Sequence, residues 1–212
     1  MTVAALLLAA GASSRMGGPK PLVAWGEGTL IEWELGQLRA SCVDEIVVVI
    51  GSRAEAVRRT LGTSGEAELV FNQRWPQGRA TSLAKGAAAL LGLSGNPAVG
   101  RARPDVVVIQ NVDQPALTRV IDRLVATLRE RRVEAVQPTY LDDAGAEHGG
   151  HPVVISGALL EELAAATEAT EGLRAILQRH PPLRIPMPDE PSVALDLDTP
   201  EALTEGRRLL GF

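Results

Sequence analysis

Apolar residues along this chain fall into short runs that alternate with segments of helical spacing. Residues 3–10 are almost wholly apolar, 43–50 are dominated by a β-branched run, and shorter runs follow at 68–71 and 105–110. Runs of this length, apolar at successive positions and not at every second one, predict strands covered on both faces, as in the middle of a parallel sheet. Between them, Ile31, Leu35 and Leu38 recur at helical spacing, and so do Ile121, Leu124, Val125 and Leu128. Thr29 with Glu32, and Ser52 with Glu55, have the spacing of capping boxes, which predicts one helix over 30–40 and a shorter one that stops at Gly62.

The second half continues the pattern. A helix rich in alanine and leucine is expected from 82 to about 91, then a Gly/Pro-containing connection over 92–104. Thr118 is expected to cap the helix that carries Ile121, with a strand following over 133–138. Residues 140–150 read as a polar loop, 152–155 as a strand, and Ser156 as the cap of a helix reaching about 167. A short helix around Leu173, Ile176 and Leu177 precedes a proline-rich segment and a last strand over 193–197, after which Thr199-Pro200-Glu201 opens the terminal helix. Alternating strands and helices predict an α/β protein, a three-layer α/β/α sandwich with a mostly parallel central sheet, formed by residues 1–212 as a single domain.

Composition narrows the classes. At 45% hydrophobic and 22% charged the chain suits a globular core, and a net charge of −5 with scattered arginines argues against a nucleic-acid surface. One cysteine, Cys42, excludes a disulfide framework and a thiolate metal cluster and fits a reducing cytoplasm. The apolar run at 3–10 lacks a basic segment before it and continues into polar, glycine-rich sequence, so it reads as a core strand and not as a secretion signal; no run is long enough to span a bilayer.

The candidate chemistry begins where that first run ends. Residues 8–22 read LAAGASSRMGGPKPL, a buried strand opening into small residues, glycines, Arg15 and Lys20, the composition of a backbone-rich loop that receives phosphates. Lys20 lies between two prolines with no following hydroxyl, which excludes a Walker loop, and the spacing of Gly11 and Gly17 excludes a dinucleotide fingerprint. The loop supplies Leu8, Ala9, Ala10, Gly11, Ser13, Ser14, Arg15 and Lys20 as candidate nucleotide contacts. Asp113 follows a buried strand and precedes Pro115 by two residues, a position suited to holding Mg2+ through carboxylate oxygen. Asp196 and Asp198, two residues apart on the expected last strand, share one face there and are further metal candidates, Asp196 the preferred one.

The LAAGASSRMGGPKPL stretch resembles the N-terminal signature of the nucleotidyltransferases that activate a phosphorylated substrate, most closely the molybdenum cofactor cytidylyltransferase family, in which Leu8-Ala9-Ala10-Gly11 corresponds to the form associated with CTP. The resemblance extends along the chain. Asp113-Gln114-Pro115 matches the family's metal-binding aspartate, with Val112 in place of the usual glycine, and DLDTPE at 196–201 matches its C-terminal motif. Asn72, Gly78 and Ser82 correspond to the segment that contacts base and ribose, while Gly149-Gly150-His151-Pro152 and Arg174 correspond to acceptor-binding positions. His151 suits either a contact to a phosphate or pterin group or a purely structural place in its loop. Thr170 stands where the family carries an aspartate. The resemblance implies a Rossmann-like nucleotidyltransferase with Arg15, Lys20 and Asp113 as catalytic residues. It would transfer CMP from CTP to a phosphorylated acceptor, the molybdenum cofactor first, alongside a molybdenum hydroxylase or its maturation chaperone as partner. Another triphosphate such as GTP, a sugar or polyol phosphate acceptor, and a non-catalytic nucleotide-binding chaperone are the alternatives.

Overall fold

The first apolar run forms β1 (Val3–Ala9), and its continuity is explained by its neighbours on both sides. The structure, a computed structural model, describes residues 1–12, 18–62, 65–93 and 102–212. After β1 come a small antiparallel pair, β2 (Ala24–Trp25) and β3 (Gly28–Thr29), then α1 (Leu30–Ala40), β4 (Glu45–Ile50), α2 (Ala54–Leu61) and β5 (Glu68–Phe71). The chain proceeds through α3 (Arg79–Leu90), β6 (Val106–Asn111), α4 (Thr118–Arg131), β7 (Ala135–Leu141), β8 (Glu147–Gly149) and β9 (Val153–Ser156). It ends with α5 (Leu160–Ala164), α6 (Leu173–Arg179), β10 (Leu183–Pro186) and α7 (Pro200–Leu210).

The main sheet has the order β10-β7-β9-β6-β1-β4-β5, with β8 attached to β7. β1 pairs in parallel with β4 and β6, β4 with β5, and β7 with β10, whereas β9 runs antiparallel to both β6 and β7. Alternation along β1 sends Val3, Ala5, Leu7 and Ala9 towards the layer of α1, α2 and α4, and Ala4 and Leu6 towards the layer of α3, α5 and α6. The three-layer, mostly parallel arrangement expected from the sequence is therefore present. Among the described residues no helix is long and apolar enough to cross a membrane.

The Thr29 box forms: the Glu32 carboxylate accepts from the Thr29 amide at 2.9 Å and from its hydroxyl at 2.6 Å. Five other expectations are corrected. The Ser52 box does not form, because α2 is entered through Arg53 in the left-handed region, φ 56°, with no side-chain cap. Thr118 lies inside the first turn of α4 and spends its hydroxyl on the Gln37 carbonyl at 3.0 Å, so it ties α4 to α1 instead of capping. The 140–150 loop contains β8, which folds back on β7. The expected strand over 193–197 is absent; Pro191–Ala194 is a 3-10 turn, and the strand of this region is β10, paired with β7. The helix after Ser156 begins with a 3-10 turn, capped by the Ser156 hydroxyl accepting from the Ala158 amide at 3.2 Å, and its α-helical part ends at Ala164.

Candidate active site

The carboxyl ends of β1 and β6 lie side by side, since Leu8 pairs with Asn111 and the Val112 amide donates to the Leu8 carbonyl at 3.1 Å. Each strand thus delivers its polar continuation to one rim of the sheet, the usual place for ligands in an open α/β fold. Leu8, Ala10, Gly11, Lys20, Ser82 and Asp113 line a cavity of about 100 Å³ there, with Arg79. Ser13, Ser14 and Arg15 lie outside the described residues.

Lys20 sits on a short 3-10 turn, Lys20–Leu22, and is 8% exposed. Its Nζ donates to Asp113 Oδ2 at 2.7 Å and also to Asp198 Oδ1. Burial alone would lower the pKa of the ammonium, but the hydrogen bonds and charges of Asp113 and Asp198 outweigh it and raise the value, so Lys20 is a fixed cation. Asp198 reaches this place because the Leu197 amide donates to the Asp113 carbonyl at 2.8 Å, while the Thr199 hydroxyl caps α7 by accepting from Ala202 at 3.1 Å. Leu197 is buried between Asp196 and Asp198, both of which keep more exposure, so this unpaired segment anchors its apolar residue in the core and leaves the two acids outside it.

Asp113, Asp196 and Asp198 each offer an oxygen, and these oxygens lie within 4.8 Å of one another. Burial raises the pKa of Asp196, and the negative charges of Asp113 and Asp198 push it the same way. Like charges gathered at this distance around one lysine make a donor set of hard oxygens that suits a divalent cation. The residues present therefore fit such an ion.

The other predicted positions divide. Asn72 is 3% exposed and uses Nδ2 on Thr81 and Ser82, both at 2.9 Å, and Oδ1 on the Arg74 amide at 2.9 Å; it braces the start of α3 and does not line the cavity. Gly78 has φ 126°, and a Cβ there would collide with the Glu168 carboxylate, which accepts from the Ala80 amide. That close approach explains the glycine. Ala9 points into the core. Gly150 packs on the Val193 carbonyl, and His151 is largely buried with Nδ1 lacking a partner among the described residues. Burial lowers the His151 pKa to about 4, with Arg79 adding to the effect and Asp113 opposing it, so the imidazole is neutral near pH 7.

A second cavity of about 250 Å³ continues from the first, sharing Leu8, Arg79 and Asn111, and is closed by His151, Leu173 and Arg174. Those last three also wall a third, of about 450 Å³, which includes Arg184. Arg79 is the site residue that the sequence reading passed over; its signal was its position next to Gly78 at the start of a helix. Glu34, Gln110 and Glu168 were missed as well, being isolated polar residues in otherwise ordinary helix, strand and loop sequence.

A cavity at the end of a mostly parallel sheet, lined by Gly11, Lys20 and Asp113 with Asp196 and Asp198 gathered beside that aspartate, is the setting of a phosphate-handling α/β protein. The chain belongs to the MobA-like NTP transferase family, whose domain model matches residues 5–183. It is similar to the nicotine blue oxidoreductase of Paenarthrobacter nicotinovorans, 30% identical over 205 residues that cover 95% of this chain and 94% of that protein. It is also similar to the molybdenum cofactor cytidylyltransferase of Escherichia coli (strain K12), 25% identical over 197 residues, 92% of this chain and 91% of that one. Among solved structures, Rv0371c of Mycobacterium tuberculosis H37Rv in complex with manganese superposes with a TM-score of 0.68 at 23% identity, covering 97% of each chain. The fold is that of the nucleotidyltransferases.

Proposed function

We propose that this chain transfers CMP from CTP to a phosphorylated small-molecule acceptor, the molybdenum cofactor first, with Mg2+ as the metal. The observation that carries the reading is the pair of contacts from Lys20 to Asp113 and Asp198 beside a cavity walled by Leu8, Ala10 and Gly11. A terminal phosphate oxygen of the acceptor bonds to the α-phosphorus of CTP, the bond to the β-phosphate oxygen breaks, and pyrophosphate leaves. The acceptor phosphate is ionised near neutral pH, so no general base is needed. Positioning and charge neutralisation supply the rate.

Asp113 and Asp196, with Asp198, would hold the metal, which supplies charge neutralisation on the triphosphate oxygens when bound. Lys20 and Arg15 hold the triphosphate, and Ser82 and Arg79 border the nucleotide. Gly150, His151 and Arg174 belong to the acceptor: the neutral imidazole offers a hydrogen bond without charge, and the guanidinium of Arg174 offers an anion contact at the edge of the two larger cavities. The name of the E. coli relative supports the acceptor and the nucleotide, and the single free cysteine suits a cytoplasmic setting next to a molybdenum hydroxylase or its chaperone.

Pyrophosphate release is to be measured with each triphosphate in turn, with and without a molybdopterin acceptor. Release with CTP that depends on acceptor supports the reading; release with GTP, or with a sugar or polyol phosphate, moves the specificity. No release with any triphosphate, alongside retained nucleotide binding, turns the chain into a binding chaperone.

A further inference from the structure

Glu34 is a buried acid that nucleotidyl transfer leaves without a task. It lies on the inner face of α1 and is fully buried, and neither of its carboxyl oxygens has a hydrogen-bond partner among the described residues. The same is true of Oε1 of Gln110, which is also fully buried, and the Gln110 side chain and the Ala116 amide are the polar groups close enough to act on the Glu34 carboxyl. Gln110 arrives there by alternation along β6, where Val106 and Val108 already face the α1 and α4 layer. Three buried acceptor oxygens on two neighbouring side chains are therefore without a hydrogen-bond partner among the described residues, and leaving buried acceptors unsatisfied is unfavourable.

The orientation of the Gln110 amide is fixed from its other end. Its Nε2 donates to the main-chain carbonyl of Gln114 and, at 3.2 Å, to that of Asn111, the two residues that bracket Val112 and Asp113. Asn111 Nδ2 in turn donates to Gln114 Oε1 at 2.6 Å, and Gln114 Nε2 reaches Asp196 Oδ2 at 3.3 Å. With both Nε2 protons committed to the loop, Oε1 is the polar atom of Gln110 left without a partner beside Glu34.

We propose that Glu34 carries a proton, donates it to Oε1 of Gln110, and so acts as a positioning residue for the loop that presents Asp113. A carboxylate at Glu34 would repel Oε1 and favour the flipped amide, setting an oxygen against two carbonyls and releasing the loop. Burial pushes the Glu34 carboxyl well above the usual carboxylate range, and the negative charge of Asp113 pushes it the same way, while the Ala116 amide and Gln110 oppose this. A neutral Glu34 also spares the three clustered acids a fourth negative neighbour.

Three full-length variants test this: Glu34→Gln, a neutral isostere whose amide can make the same donation; Glu34→Leu, which cannot; and Gln110→Leu, which removes the acceptor. In infrared difference spectra at neutral pH, the protonated-carboxyl carbonyl band is expected in the parent protein and absent from Glu34→Gln. Titration with Mn2+ is expected to leave Glu34→Gln within about twofold of the parent, while Glu34→Leu and Gln110→Leu lose about tenfold or more in affinity, the usual cost of losing a residue that orients a metal ligand. Turnover with CTP should fall in parallel in the two leucine variants, in kcat and not in KM. Absence of the band, parent-like Mn2+ affinity in the leucine variants, or a Glu34→Gln as defective as Glu34→Leu each overturns the proposal. The turnover arm alone rests on the transferase reading: a parent protein that releases no pyrophosphate defeats that reading, and the infrared and Mn2+ measurements still decide the role of Glu34.

Discussion

Lys20 Nζ and Asp113 Oδ2 are 2.7 Å apart although 93 positions separate them in the chain. The contact joins the end of the first loop to the end of β6. In the absence of ligand it is a neutralised ion pair. In the proposed reaction a triphosphate and a cation entering here would draw the lysine and the aspartate to opposite partners, and the pair would then be the resting arrangement of two groups with separate tasks. If Lys20 meets charge that grows on departing pyrophosphate, its effect belongs to the transition state. Lys20→Ala is expected to slow the chemical step by roughly 10²–10³-fold while CTP binding changes little, and Lys20→Arg should not restore the rate, since a planar fork replaces a compact ammonium between two prolines. Single-turnover kinetics beside equilibrium CTP binding check this. A loss confined to binding would make Lys20 a docking residue.

The acidic cluster leads to a paired prediction in which stability and metal affinity move in opposite directions. Asp196 is more easily protonated than an ordinary aspartate: although its surface is exposed, desolvation by the groups around it disfavours the charged form, and the charges of Asp113 and Asp198 push the same way. Asp196→Asn removes one of three like charges, so the metal-free protein should melt at a slightly higher temperature while Mn2+ affinity falls. Asp113→Asn should cut turnover by about a hundredfold or more, several kcal/mol of lost metal and charge stabilisation, with the fold retained. Thermal melting with and without Mn2+ gives both readouts; an Asp196→Asn that binds Mn2+ as tightly as the parent removes Asp196 from the metal set.

Much of this site was legible because its residues sit in local signatures: an apolar run breaking into glycine, an acid directly after a buried strand, Thr199-Pro200 opening a helix. What escaped was set by partners far away in the chain. β10 follows Pro181-Pro182, ends in Pro186 and has only two apolar side chains besides that proline, Leu183 and Ile185, and it is a strand because β7 offers a free edge. β8 is exposed throughout and polar, so no hydrophobic alternation announces it. The direction of β9 leaves no mark on its composition, since a strand buried on both faces is apolar whichever way it runs. The clustering of Asp196 and Asp198 was anticipated from strand alternation, yet an extended segment anchored by Leu197 achieves it without pairing. Asn72 and Gly78, which resemble ligand-contacting positions in sequence, also have protein partners that no local signature announces. Only the partners, Thr81 and Ser82 for one and Glu168 for the other, reveal the bracing role.

A stability prediction follows from a contact away from the site. Gly157 donates its amide to the Asp105 carbonyl at 2.8 Å, and its own carbonyl accepts from Arg103 Nε at 3.0 Å. A Cβ at this position would overlap the Pro104 carbonyl, a backbone group that cannot rotate aside. Gly157→Ala is therefore expected to destabilise the fold by about 1–3 kcal/mol through overpacking. Urea unfolding checks it, and an unchanged midpoint would show that the 157 turn shifts without cost.

The last prediction concerns pH and His151. In the folded chain its pKa is lowered from 6.5 to about 4, chiefly by burial, and the unfolded chain has no such burden. As pH falls below 6.5 the unfolded state therefore binds a proton that the folded state refuses, and the equilibrium tilts towards unfolding. The stability that His151 contributes is complete above about pH 6.5, is lost between there and pH 4, and changes no further below; its size is at most about 3 kcal/mol. Carboxylates titrate in the same range, so the parent alone does not isolate the effect. His151→Gln keeps a polar side chain of similar reach without the titration. The parent is expected to lose more stability than His151→Gln when urea midpoints at pH 7 and pH 4.5 are compared, by as much as that amount, and equal losses in the two proteins would mean that the imidazole accepts its proton in the folded state as readily as in water.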